Sequence, residues 1–85
     1  MAPETLTVWK QIEATCWDGR VVTGILWMTA SRRGRFEVEY NGMRRTDGRS
    51  DYTNEAEINF FARRLLLEMT EQNMPWALEK PISMP

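Results

Sequence analysis

The sequence predicts an α+β fold: a three- to four-stranded antiparallel sheet packed on one C-terminal α-helix, in the order β-β-β-(β)-α, with an irregular C-terminal tail. Three observations lead there. Up to residue 46, apolar and polar residues tend to alternate, and Asp18-Gly19 and Asn41-Gly42 interrupt them with dipeptides that favour tight hairpins. Further on, Ile58, Phe61, Ala62, Leu65, Leu66 and Met69 recur at the spacing of one helical face. Finally, 85 residues suffice for one core and not for two. The expected organisation is a single domain over residues 1–85, with the sheet in 5–46, the helix in 53–73 and the tail in 75–85.

The first strand is expected over residues 5–17, where Leu6, Val8, Ile12, Ala14 and Cys16 alternate with Thr7, Trp9, Gln11, Glu13 and Thr15. A two-residue type I′ turn at Asp18-Gly19 then leads into a second strand over 20–30, rich in Val21, Val22, Ile25, Leu26 and Trp27. The loop 31–34 ends on Gly34, residues 35–40 form a third strand, and Asn41-Gly42 leads to a short fourth strand over 43–46. These turns set a register. Ile12 faces Ile25, Lys10 faces Trp27 in a possible cation–π pair, and Cys16 faces Val21, while Val38 faces Trp27 and Tyr40 faces Ile25. One sheet face then collects Leu6, Val8, Ile12, Cys16, Val21, Ile25, Trp27, Phe36, Val38 and Tyr40, and this face is expected to meet the helix.

Thr53 or Asn54 can cap that helix, Asn54 and Glu57 have capping-box spacing, and Glu55 and Glu57 suit the positive end of the helix dipole. Pro75 disfavours helical geometry at Met74 and sets the expected end.

Hydrophobic and charged residues make up 42% and 27% of the chain, an ordinary balance for a folded domain. The start, Met1-Ala2-Pro3-Glu4, lacks the basic and apolar regions of a signal peptide, and no apolar run approaches a membrane span, so no membrane partner is expected. The one cysteine, Cys16, cannot form an internal disulfide, which makes a cytoplasmic location the default expectation. Net charge is −1, yet a basic middle segment precedes an acidic C-terminal part.

Three features remain once the core is assigned. The opposite sheet face gathers Trp9, Trp17, Val22, Leu26 and Met28, an apolar patch that reads either as a contact surface or as ground covered by Trp76, Leu78 and Ile82 of the tail. A strand bulge that redirects Trp9 or Leu26 inward is a further option. On the helix, Ala56, Phe60, Leu67 and Met74 lie away from the core stripe, and Phe60, Leu67 and Met74 are candidates for a twofold contact in a homodimer unless the tail covers them. Lastly, Arg32, Arg33, Arg35, Arg44, Arg45 and Arg49 are expected to merge into a basic rim suited to phosphate or carboxylate partners.

With no histidine, Ser-His and Cys-His relays and histidine-bound zinc are excluded, and no glycine loop of the phosphate-cradling kind is present. No catalytic residue, metal site or cofactor is expected. Strands followed by a helix over residues 5–73, with the Glu55-Ala56-Glu57 helix start and arginines near the sheet, resemble the plan of AP2-type and integrase-arm DNA-binding domains. That resemblance implies direct nucleic-acid contact, held here as the second reading. In size and surplus apolar surface the chain is similar in general type to the small inhibitors that phages and mobile elements encode, anti-CRISPR proteins among them. This likeness implies the preferred reading, a non-enzymatic protein-binding module that occludes a site on a larger protein, including one that itself binds nucleic acid. Trp9, Trp17, Leu26 and Met28 would anchor that partner and the six arginines would orient it.

Overall fold

A computed structural model describes residues 5–71. Strands β1 (Thr7–Thr15), β2 (Val21–Met28), β3 (Phe36–Tyr40) and β4 (Met43–Arg45) form one antiparallel sheet in the order β1-β2-β3-β4, followed by helix α1 (Glu55–Glu71). The α+β architecture expected from the sequence is therefore present. The expectations placed on Met74, Pro75 and the tail lie outside the described residues. No described helix is long and apolar enough to cross a membrane.

The strands fall where expected, but β2 is turned over. Its hairpin with β1 closes on Cys16 and Arg20, with Cys16 N donating to Arg20 O at 2.7 Å and Gly19 N to Cys16 O at 2.9 Å. Trp17-Asp18-Gly19 is thus a three-residue loop, a type I turn followed by Gly19 at φ 92°, and not a two-residue type I′ turn. Asp18 reinforces it by accepting from Arg20 N at 3.1 Å, a bond that holds its carboxyl below the usual carboxylate range.

One extra loop residue places Ile12 opposite Gly24 and Ala14 opposite Val22. The next connection shifts in the same sense: Met28, not Thr29, faces Phe36, and Leu26 faces Val38. Thr29 is drawn into that loop, where its hydroxyl donates to Arg33 O at 2.7 Å and accepts from Arg33 N at 3.2 Å. Val22, Leu26 and Met28 consequently point into the core, while Val21, Ile25 and Trp27 lie on the outer face. The Asn41-Gly42 turn is a two-residue one, closing on Tyr40 and Met43 with φ of 53° and 80°.

Strand β1 carries a bulge. Val8 faces Trp27 and Lys10 faces Leu26, which leaves Trp9 as the extra residue. The bulge turns Val8 outward, 55% exposed rather than in the expected core, and seats Trp9 half-buried against the core margin. Lys10 lies over Trp9, its Nζ 4.5 Å from the ring centroid, and not over Trp27.

Helix α1 follows its sequence signals. Asn54 Oδ1 accepts from Ala56 N at 2.8 Å and Glu57 N at 3.2 Å, the N-cap expected of it. Ile58, Ala62, Leu65, Leu66 and Met69 are buried on the sheet, with Phe61 half-buried beside them. The helix packs closely on the sheet at Gly24, where a Cβ atom would lie 2.8 Å from Leu66 Cδ1 and 3.0 Å from Glu39 O. Ahead of the helix, Tyr52 is fully buried and pairs with Gly34 through two main-chain bonds of 2.8 and 3.2 Å. Its ring makes tilted contacts with Phe36 and Phe61, with centroids at 5.2 and 5.9 Å, and its hydroxyl donates to Asp47.

Candidate functional site

The expected tryptophan-methionine patch does not exist as a surface. Leu26 and Met28 are fully buried between sheet and helix, so neither can touch a partner, and the cause is the inverted facing of β2. Trp9 is half-buried, its ring held between Lys10 and the Arg32 guanidinium, whose Cζ is 4.3 Å from the centroid. Trp17 alone of the four anchors is broadly exposed, at 48%, on the hairpin loop.

The outer sheet face is instead a polar network around one aromatic ring. Trp27 Nε1 donates to Glu39 Oε1 at 3.0 Å, and the Arg44 guanidinium covers the ring at 3.7 Å. Glu37 accepts from Arg44 Nε at 2.9 Å and pairs with Arg35 at 3.1 Å. This is the alternation expected of a sheet with one wet face.

The six arginines do not merge into a rim. Arg35 and Arg44 share Glu37 on the outer face, and Arg45, opposite Val38, lies on the helix side. Arg32 turns back to donate to Thr29 O at 3.1 Å. Arg49 pairs with Asp51 at 3.1 Å and lies over Tyr52 at 4.2 Å, beside the helix start; the Asp51 contact raises its pKa. Arg33 is exposed on the loop. Four of the six guanidinium groups, those of Arg32, Arg35, Arg44 and Arg49, are thus engaged within the chain.

A concavity lies elsewhere, between α1 and the β1 edge of the sheet. It has a volume of about 610 Å³, within the range of ligand-sized clefts. Glu13, Thr15 and Val21 of the first hairpin form one wall; Phe60, Arg63, Arg64 and Leu67 of α1 form the other. Phe60 is 59% exposed, and its ring stands edge-on against Phe61, with centroids at 5.1 Å, so the core braces it. Arg63 and Arg64 make no ion pair among the described residues.

The edge beside this groove offers main-chain groups. β1 pairs only with β2 among the described strands. The Cys16–Arg20 bond fixes the alternation, so Ile12, Ala14 and Cys16 bond toward β2, while Gln11, Glu13 and Thr15 turn their N–H and C=O groups outward. The Trp9 bulge distorts the first part of this edge and leaves Gln11 to Thr15 regular.

Phe60 and Leu67, singled out by their position on the helix, thus meet at one groove, and Met74 lies outside the described residues. Arg63, Arg64, Glu13, Thr15 and Val21 were missed; an arginine pair flanked by Phe60 and Leu67 was the one available sign. Among the described residues no group of three or more acidic or cysteine side chains is placed to hold a metal ion. In comparisons with protein-family models, curated proteins and solved structures, nothing matches this chain.

Proposed function

We propose that the chain is a non-enzymatic protein-binding module that occupies a site on a larger protein, as the small inhibitors of its general type do. The observation that supports this best is the groove: a strand edge with no partner among the described strands beyond β2, a braced and exposed Phe60, and two arginines with no ion pair among the described residues. Such a combination supplies an apolar anchor, main-chain donors and acceptors, and charge for orientation. The lack of any histidine also favours binding over catalysis. The buried free thiol of Cys16 suits a reducing compartment such as the cytoplasm.

Direct nucleic-acid binding has less support. Arg35, Arg44 and Arg49 are paired with Glu37 and Asp51, and Glu37 and Glu39 occupy the outer sheet face that would meet phosphates.

Affinity capture from the cells that make the protein tests the reading, using the wild-type chain beside Phe60→Glu. A stoichiometric protein partner retained by the first and lost by the second, with unchanged circular dichroism, is the expected result. Salt-sensitive retention of nucleic acid instead, unaffected at Phe60, would replace this reading with the second one.

A further inference from the structure

We infer that the groove receives an extended segment of the partner, which adds to the β1 edge as a fifth strand and presents the pattern apolar-x-acid-x-apolar to the helix. This rests on the protein-binding reading above and specifies the partner's chemistry.

Two independent features of the groove lead to it. First, the outward main-chain groups of Gln11, Glu13 and Thr15 form a short regular edge, and the natural occupant of such an edge is another extended chain. The bulge at Trp9 confines that pairing to the part of β1 that lines the groove.

Second, the helix wall has an ordered chemistry. Phe60 comes first, Arg63 and Arg64 occupy the middle, and Leu67 comes last. From Phe60 to Leu67 the helix rises by about 10 Å, since each residue adds roughly 1.5 Å. Four steps along a strand cover about 13 Å, with alternate side chains on one side. Three successive helix-facing side chains of an added strand therefore meet an apolar, a cationic and an apolar contact. The charge complementary to Arg63 and Arg64 is a carboxylate; Glu13 lines the opposite wall of the groove, but neither arginine forms an ion pair with it or with any other described residue.

Helix and strand run toward the same end of the sheet. Thr70, near the end of α1, has its hydroxyl 3.9 Å from Cys16 Sγ just after β1, and Tyr52, ahead of α1, pairs with Gly34 at the far end. Because the pattern reads the same in both directions, it suits a parallel or an antiparallel added strand.

The test uses the full chain and a synthetic peptide of about nine residues, with valine, glutamate and valine at alternate central positions and threonine elsewhere. Saturable binding is expected, with amide shifts and slowed hydrogen exchange at Glu13 and Thr15. Replacing the glutamate by glutamine should weaken binding by about tenfold. The double variant Arg63→Glu with Arg64→Glu should show the same loss and should regain affinity for a peptide carrying lysine in place of glutamate.

No binding, or shifts confined to other surfaces, would overturn the inference. If capture of a partner still depended on Phe60, the protein-binding reading would stand without it. Protection of Thr15 that rises with protein concentration alone would assign the groove to a second copy and overturn the inference. So would a spin label on a Ser83→Cys variant that broadens the Thr15 signal before any peptide is added, which would assign the groove to the chain's own C-terminal segment.

Discussion

Gly24 lies where Leu66 of α1 packs directly on the sheet, and the absence of a side chain there is a steric requirement. A Cβ would lie 3.0 Å from Glu39 O, a main-chain atom that can move only with β3, as well as 2.8 Å from the side chain of Leu66. Gly24→Val should therefore cost about 1–3 kcal/mol, read as a lower urea midpoint at unchanged slope. Tyr52 sets a different kind of limit. Burial, helped by its bond to Asp47, pushes its phenol up to about 12, against about 10 for a free tyrosine. Between these values the unfolded chain releases a proton that the folded chain keeps, so this stability is complete below about pH 10 and falls as pH rises toward 12. Alkaline titration followed by circular dichroism should show that loss in the wild type. It should be reduced in Tyr52→Phe, a variant that also gives up the hydroxyl's bond to Asp47.

Among the elements, the helix was the most legible. Its apolar stripe, its acidic first turn and the Asn54 cap all follow from local rules, and the stripe and the cap have their expected partners. Asn54→Ala should cost about 1 kcal/mol, measurable by thermal or urea unfolding. The inward residues Ile12 of β1, Cys16 just after it, and Phe36 and Val38 of β3 were also legible from alternation. β2 was not, because it is apolar at both parities: Val22, Leu26 and Met28 on one side, Val21, Ile25 and Trp27 on the other. Its facing depended wholly on the length of the turn before it, and Asp-Gly serves two- and three-residue hairpins alike. Two β2 residues on opposite faces offer a direct check. Leu26→Ala should destabilise the fold by about 2–5 kcal/mol, whereas Val21→Thr, on the outer face, should change stability by less than about 0.5 kcal/mol. Tyr52 escaped notice because its bridge to Gly34 joins segments with no strand pattern of their own.

For the molecule as a whole, the surfaces depend on how the elements meet, and this limited what could be read beforehand. Phe60 and Leu67 were visible as residues off the core stripe, but a groove exists only once α1 lies beside the β1 edge. The arginine rim failed for the converse reason: charges close in sequence were distributed to Glu37, Asp51, Thr29 and the rings of Trp9, Trp27 and Tyr52. Trp9, half-buried at the bulge and packed against the core margin, should reveal itself through stability. Trp9→Ala should lower the free energy of unfolding by about 1–3 kcal/mol, and partner capture should persist under conditions where the variant is folded.

The corner at Trp17-Asp18-Gly19 has a consequence for how such a chain can vary. Because the strand after it is greasy on both sides, a deletion there need not abolish folding; it would offer the sheet a second way to seat that strand, inside out. Beyond Gly19, whose positive φ favours glycine, and the Asp18 side chain that braces the turn, it is the count of residues at this corner that inheritance must preserve.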